Sequence, residues 1–216
     1  SARCESSVNP NCHFLPRQLE MIGAQAMADD QFATFYDEAR SWVMASGFRD
    51  EVQWQINTLR REPTEREFLR EYAWVVLNSG FRESVVRKHF DYISLCYCDW
   101  ESADAILESS DVCIETASRA FGNRRKLTSI VSTASLISDV GFVSFWKSLQ
   151  SDPLERLSRL PMIGEITKWH LAKNIGIDVA KPDRHLQRIA TRFGYSCVQG
   201  MCGEAADQFG DRVAVV

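Results

Sequence analysis

Two neighbouring stretches decide the predicted fold: LPMIGEIT at residues 160–167 and KPDRHL at residues 181–186. Pro161 ends the helix before the first stretch, because proline lacks an N–H and clashes with a preceding carbonyl. Gly164 allows a close backbone approach before the next helix, which we expect to span about residues 165–174. A glycine turn that opens a helix presents free N–H groups and a positive dipole end. The first stretch therefore predicts an anion site between two helices.

The second stretch places an acidic residue at the start of another helix. Asp183 precedes a helical run formed by Leu186, Ile189, Ala190 and Phe193. Aspartate is a favoured helix N-cap, which is its ordinary structural interpretation. The helix dipole also helps to keep such a carboxylate ionised, so capping and a chemical role are compatible.

Together the two stretches resemble the helix-hairpin-helix DNA glycosylases. In that family a hairpin of roughly the pattern LPG[IV]GxxTA is followed by an aspartate in a context such as VDxH. The hairpin is matched by LPMIG at residues 160–164 with Thr167, and the aspartate segment by PDRH at residues 182–185. Met162 stands where the family usually has glycine, so the hairpin departs from the standard repair-enzyme form. The resemblance covers about residues 64–193.

The chain is predicted to be all-α, and the resemblance implies a two-lobed helix-hairpin-helix fold. Apolar residues recur at helical spacing, and strand signals are nearly missing. By this comparison residues 64–176 form a six-helix barrel lobe that contains the hairpin. Residues 1–63 supply an arm and helices of the second lobe, and residues 177–216 supply the aspartate segment and the rest of that lobe. Breaks between helices are predicted at residues 62–64, 78–82, 121–123, 141 and 151–153.

The charge distribution predicts one basic segment on an otherwise acidic protein. The chain of 216 residues has a formal net charge of −4, and it is long enough to bury a substantial core. Residues 156–192 contain eight basic and three acidic residues, which leaves about −9 for the rest. Such asymmetry suits a phosphate-binding end, although a solvated helix surface is the ordinary alternative.

The cysteines and the hydropathy pattern set the remaining expectations. Seven cysteines at irregular spacing predict neither a zinc site nor a disulfide framework. The four-cysteine iron–sulfur motif of some relatives is missing, so we expect no cluster and no required cofactor. No run is apolar enough to cross a membrane and no signal peptide is recognisable, which predicts a cytoplasmic protein without membrane contact. We expect a monomer, in a bacterial or phage-infected cell, and a natural chain that can extend beyond Val216.

The resemblance assigns DNA-phosphate binding to the hairpin and to His185. One phosphate is expected to meet the main-chain amides of Met162, Gly164, Ile166 and Thr167. In relatives, carbonyls of the same turn hold a monovalent cation that bridges to DNA, and the matching residues are Ser158, Leu160 and Ile163. His185 matches a phosphate-contacting histidine, and an ordinary surface histidine is the alternative.

Asp183 matches the aspartate that serves base removal in the family. Breaking an N-glycosidic bond builds positive charge on the sugar, and a nearby carboxylate stabilises that charge. Relatives that also cut the backbone carry a lysine two residues after the second hairpin glycine, where this chain has Ile166. Lys168 is expected on the opposite side of the helix. The resemblance therefore implies a monofunctional glycosylase without efficient lyase activity.

A base must be flipped out of the duplex before it is attacked, which requires a pocket and a wedge. The hairpin helix is expected to turn Ile166 and His170, spaced i, i+4, toward the pocket. Trp169 either stacks on a base or belongs to the core.

The turn at residues 78–82 falls where relatives place the residue that fills the gap in the duplex. Phe81 or Arg82 is the candidate wedge, with Asn78 beside it. The alternative for Phe81 is an apolar contact after a helix-ending glycine. Arg124, Arg125 and Lys126 either touch the opposite strand or form the charged start of a helix.

Residues 71–81, EYAWVVLNSGF, are also similar to a narrower group of phage-associated and anti-phage proteins. These relatives of the α-glutamyl/putrescinyl thymine pyrophosphorylases keep the glycosylase fold and are tied to hypermodified pyrimidines, including glucosylated hydroxymethylcytosine of phage DNA. This similarity implies a bulky modified pyrimidine as substrate and a role in anti-phage defence. The alternatives are a repair glycosylase for alkylated or mismatched bases, a non-hydrolytic thymine-modifying enzyme, and a DNA-binding module on the same fold.

Overall fold

The computed structural model describes residues 31–59 and 61–216, and every regular element within them is helical. The all-α prediction is therefore confirmed for these residues, while the predicted arm at residues 1–17 lies outside them. The helices are α1 (residues 31–45), α2 (Arg49–Thr58), α3 (Glu65–Asn78), α4 (Glu83–Cys96), α5 (Ala103–Glu108), α6 (Ser110–Ser118), α7 (Arg124–Ser138), α8 (Phe142–Gln150), α9 (Pro153–Ser158), α10 (Thr167–Asn174), α11 (Arg184–Arg192) and α12 (Val198–Phe209).

The larger hydrophobic cluster is built by α3 to α10, with α3 at its centre. α3 begins with a capping box, in which Thr64 accepts from Glu67 N and the Glu67 side chain accepts from Thr64 N. Buried side chains then follow on almost every side of the helix: Phe68, Leu69, Tyr72, Ala73, Val75, Val76 and Leu77. Because a helix that is apolar all round must be surrounded, α3 forms the axis of this cluster.

A smaller cluster joins α1 to the C-terminal helices. Phe32 and Tyr36 of α1 pack with residues of α11 and α12, among them Ala190 and Met201. Asp211 accepts hydrogen bonds from the Tyr36 hydroxyl at 3.0 Å and from Arg40 Nε at 2.7 Å. These contacts link residues about 170 positions apart, because α1 and the C-terminal segment bury their apolar faces against each other. The predicted domain boundaries remain a prediction.

The hairpin consists of α9, a turn, and α10. α10 begins at Thr167, two residues later than predicted. The reason is local: Thr167 Oγ1 accepts from Gly164 N at 2.7 Å and lies 3.2 Å from Gly164 O, which holds the preceding residues in a turn. Met162 adopts the left-handed conformation, with φ +62°. The Tyr72 hydroxyl lies 2.6 Å from Pro161 O and so ties the turn to the central helix.

The lengths and hydropathies of the described helices bear on membrane insertion. None of them alone is long and apolar enough to cross one. α7 and α8 meet the length and composition criteria only as a pair, and the chain bends by 95° between them.

Candidate active-site cleft

Two adjoining cavities lie beside α10, and we refer to them together as the α10 cleft. The larger half, about 860 Å³, is bordered by α2, α3, α4 and α10. The smaller half, about 350 Å³, is bordered by α2, α10, the start of α11 and the C-terminal residues. The two halves are neighbours because they share four lining residues: Glu51, Trp54, His170 and Asn174.

Asp183 lies at the wall of the smaller half and is half-buried. It is the N-cap of α11, where its Oδ1 accepts from His185 N at 2.9 Å and from Leu186 N at 3.1 Å. Its Oδ2 makes no hydrogen bond with any residue of the described ranges. The capping interpretation is therefore correct for one oxygen, and the other oxygen remains available to a ligand.

His170 lines both halves of the cleft, on α10. Burial lowers the pKa of His170 from 6.5 to about 4, and the positive charges of Lys181 and Lys173 add to this effect. Burial likewise lowers the pKa of Lys173, which lines the smaller half. His170 is therefore a neutral imidazole at pH 7, able to donate one hydrogen bond and to accept another.

A buried polar pair stands between the central helix and α10. Glu71 Oε2 accepts from Asn174 Nδ2 at 2.9 Å, and Glu71 Oε1 accepts from Arg70 Nη1 at 2.9 Å. Burial raises the pKa of the Glu71 carboxyl, and Arg70 and Asn174 oppose this shift. Both members of the pair line the larger half. The sequence interpretation missed them, although a carboxylate among the buried residues of α3 was a usable signal.

Aromatic side chains form another wall of the larger half. Trp54 is 43% exposed and Phe48 is 57% exposed, so both present ring surface to solvent. The Arg87 guanidinium lies 5.4 Å from the ring centroid of Trp74. Such rings suit the stacking of a planar ligand. The sequence interpretation assigned no role to α2, which carries Trp54.

The hairpin amides that were predicted to bind phosphate differ in their availability. The Gly164 amide is occupied by Thr167 Oγ1. The amides of Met162, Ile166 and Thr167 donate to no group in residues 31–59 or 61–216. Three of the four predicted donors are thus open in this conformation, and Gly164 must exchange its Thr167 bond before it can bind a phosphate.

The carbonyls predicted to hold a cation lie in the same turn. Leu160 O accepts from Ile163 N at 3.1 Å. The carbonyls of Ser158 and Ile163 accept no hydrogen bond from the described part of the chain. Within that part, no group of three or more histidine, cysteine, aspartate or glutamate side chains is arranged to hold a metal ion. The carbonyl site remains a prediction.

The turn with the candidate wedge lines neither half of the α10 cleft, although Glu83, the residue after Arg82, lines the larger half. The Asn78 amide nitrogen donates to Trp74 O at 3.0 Å, whereas its Oδ1 is buried and accepts no hydrogen bond from the described residues. The Phe81 ring is 43% exposed, packs 5.1 Å from the ring centroid of Phe121 and lines a different cavity of about 450 Å³. Arg82 is exposed and precedes α4. Asp183 and these three residues therefore do not share a cavity.

The structure gives Lys126 a role that differs from contact with a DNA strand. Its side chain is buried, and Nζ lies 2.5 Å from Val76 O, 3.2 Å from Leu77 O and in contact with Ser79 O. Nζ is also 5.0 Å from the Phe81 ring centroid. Lys126 therefore caps the C terminus of α3 and is not free to touch a DNA strand.

The neighbouring basic residues are on the surface. Arg124 pairs with Glu115 at 3.0 Å, and Arg125 is exposed.

The remaining predicted residues border neither half of the α10 cleft. Ile166 is 47% exposed and directly precedes α10, whereas Trp169 is half-buried. His185 is exposed, and its Nε2 accepts from Arg184 Nε at 3.3 Å. Lys168 Nζ pairs with Glu165 Oε2 at 2.7 Å. Of the predicted side chains, the structure thus brings Asp183 and His170 together.

The chain was compared with protein-family models, with curated proteins and with solved structures. None of the three comparisons found a match.

Proposed function

We propose that this protein is a monofunctional DNA glycosylase of the two-lobed helix-hairpin-helix type, with Asp183 as its catalytic carboxylate. One observation carries the proposal: Asp183 lines a cavity together with α10, the helix that follows the hairpin turn. Base removal needs a group that stabilises positive charge on the sugar and a site that binds the DNA strand while the base is flipped out. The free oxygen of Asp183 suits the first role, and the turn before α10 suits the second.

The chemistry follows from the free oxygen of Asp183. A flipped nucleotide enters the cleft with its sugar near Oδ2. The bond between C1′ and the base breaks, and its electron pair leaves with the base while positive charge builds on the sugar. The carboxylate stabilises that charge, and the oxygen of a water molecule then bonds to C1′ while the water releases a proton to solvent. The base takes a proton from solvent, so the products are a free base and an abasic site.

The hairpin supplies the grip on DNA in this proposal. Open amides at Met162, Ile166 and Thr167 suit one phosphate at the start of α10. The left-handed backbone at Met162 supports this role, because a φ of +62° is the conformation for which glycine is usually chosen. A monovalent cation bound by the carbonyls of Ser158, Leu160 and Ile163 would add a second contact.

The substrate in this proposal is a bulky modified pyrimidine such as glucosylated hydroxymethylcytosine of phage DNA, and the role is anti-phage defence. The larger half of the cleft supports the choice. Its volume of about 860 Å³ falls in the range of roughly 300–1,000 Å³ that holds drug-sized ligands, so it has room for a base with an attached sugar.

The test uses duplexes from phages with different base chemistry, including DNA with glucosylated hydroxymethylcytosine. Mass spectrometry of released bases and alkaline cleavage of abasic sites measure the activity. Asp183→Asn keeps an N-cap oxygen but loses the charge, so we expect normal folding and a loss of about 100-fold or more in rate. Asp207→Asn, an exposed position on α12, is the matched control and should keep full activity.

Two outcomes count against the proposal. Release of no base from any of these DNAs refutes glycosylase activity, and undiminished release by Asp183→Asn refutes the role of Asp183. DNA binding that is unaffected by Asp183→Asn, without base release, favours the binding module instead. Borohydride should trap no protein–DNA adduct, because Ile166 occupies the position of the lyase lysine. Strong trapping contradicts the assignment as monofunctional.

A further inference from the structure

A buried carboxylate stands in the wall of the larger half, and the base-removal chemistry assigned to Asp183 does not use it. Glu71 is 9% exposed and Asn174 is 8% exposed. Burying a carboxylate is costly, and an apolar replacement of similar volume is often neutral or stabilising. A buried ionisable group with a named partner at the wall of a cleft is therefore typical of a functional position.

The pair keeps unused hydrogen-bonding capacity, and both residues line the larger half as well as a neighbouring cavity of about 260 Å³. Each carboxylate oxygen can accept two hydrogen bonds, and each oxygen of Glu71 accepts one. The Asn174 Oδ1 makes no hydrogen bond with any residue in the described part of the chain, and it is not sealed from solvent. This stretch of wall therefore presents carboxylate and amide oxygens that can accept further hydrogen bonds from a ligand.

The location of the pair connects it with the proposed chemistry. Asn174 and His170 line both halves, so they lie where the half that contains Asp183 meets the larger one. A base whose sugar sits at Asp183 reaches this junction first. Trp54 also lines both halves and offers an exposed ring face for stacking.

We infer, on the basis of the proposed glycosylase function, that Glu71 and Asn174 read the 4-amino group of a 4-aminopyrimidine, a cytosine that carries a substituent at C5. Cytosine presents its N4 amino group as a donor, where thymine presents the O4 acceptor. Glutamate accepts from cytosine N4 in established base recognition. At the same ring position a thymine-type base would set its O4 acceptor against these acceptors. The C5 substituent, next to the amino group on the ring, then extends into the rest of the larger half.

The experiment compares two duplex oligonucleotides that differ only at ring position 4, with 5-hydroxymethylcytosine or 5-hydroxymethyluracil at one site. Affinity is measured by fluorescence anisotropy with Asp183→Asn protein, so that no base is released during the measurement. We expect about 10-fold tighter binding, or more, to the cytosine form. Single-turnover release by the protein with Asp183 intact should show the same order of preference.

Glu71→Gln then tests the assignment. Glutamine keeps the shape and an acceptor but adds an N–H donor, so the preference should fall to about threefold or reverse. Asn174→Ser removes the amide that orients Glu71 and should also reduce the preference for the cytosine form. Glu108→Gln, exposed on α5, is the matched control and should keep it. Circular dichroism verifies that each variant is folded, because a purely structural role of Glu71 changes stability and not base preference.

The outcomes separate this inference from the glycosylase proposal. Equal binding of the two oligonucleotides, including no measurable binding, overturns the inference, and so does an unchanged preference in folded Glu71→Gln. If the binding preference is found but no base is released, the glycosylase proposal fails while the reading of the base by Glu71 and Asn174 stands.

Discussion

Replacement of Lys126 by methionine tests how the end of the central helix is held. Methionine keeps most of the apolar stem and removes the ammonium that contacts three carbonyl oxygens at the C terminus of α3. The Val76 carbonyl retains a long hydrogen bond from Ser79 N, at 3.3 Å. The carbonyls of Leu77 and Ser79 lose the donor that the described residues provide.

The expected loss of stability follows from these two oxygens. A buried acceptor without a partner costs about 1–3 kcal/mol. Deleting the ammonium also recovers the free energy that was needed to remove it from water, which offsets part of the loss. We therefore expect the free energy of unfolding to fall by about 3 kcal/mol. For a chain of this size that corresponds to a decrease in Tm of roughly 6–12 °C.

Urea and thermal unfolding followed by circular dichroism measure this loss, and hydrogen exchange reports on the turn itself. The amide of Phe81 should exchange faster, because its bond to Asn78 O depends on the same helix end. Lys147→Met, at an exposed position of α8, is the control and should change stability by less than about 0.5 kcal/mol. A loss at Lys126 no larger than at Lys147, or a gain in stability, would refute the capping argument.

Three further predictions concern the cleft and the hairpin. Because the pKa of His170 is about 4 in the folded protein and near 6.5 when unfolded, the unfolded state binds an extra proton between these values. The free energy of unfolding should therefore fall as the pH drops from 6.5 to 4, by up to about 3 kcal/mol, and urea titrations of His170→Gln should lose this dependence. Tyr72→Phe removes the bond to Pro161 O and should lower the free energy of unfolding by about 1–2 kcal/mol; no loss in urea denaturation means that the hydroxyl does not hold the turn. Met162→Gly should be more stable than Met162→Ala by about 1 kcal/mol in the same assay, because only alanine keeps the strain of φ +62°, and the reverse order argues against a left-handed turn.

Local features of this protein could be read from the sequence. The predicted breaks at residues 62–64, 78–82 and 141 separate helices in the structure, and so do those at 121–123 and 151–153. Glycine, proline and capping residues act on backbone groups a few positions away, so their effect can be predicted from the local sequence. The capping role of Asp183 was readable for the same reason.

The first residue of α10 was not predicted correctly from the neighbouring residues. Gly164 was expected to lead directly into the helix, but the Thr167 hydroxyl holds the intervening residues in a turn. Both outcomes use residues within three positions of each other. The chain can either start a helix directly after Gly164 or form a turn closed by the Thr167 hydroxyl. The choice depends on small differences in hydrogen-bond energy, which the sequence alone does not reveal.

The functional surroundings were decided by tertiary packing. Glu71 and Asn174 meet although 103 positions separate them, and Lys126 reaches the end of a helix almost fifty positions earlier. A basic side chain at the start of a helix looks the same in the sequence whether it faces solvent or a neighbouring helix. Its direction depends on how α7 packs against α3, which is the sum of many contacts between distant residues. The sequence by itself determined several breaks between helices and the capping role of Asp183, whereas the cleft, its buried pair and its aromatic wall exist only because those helices pack together.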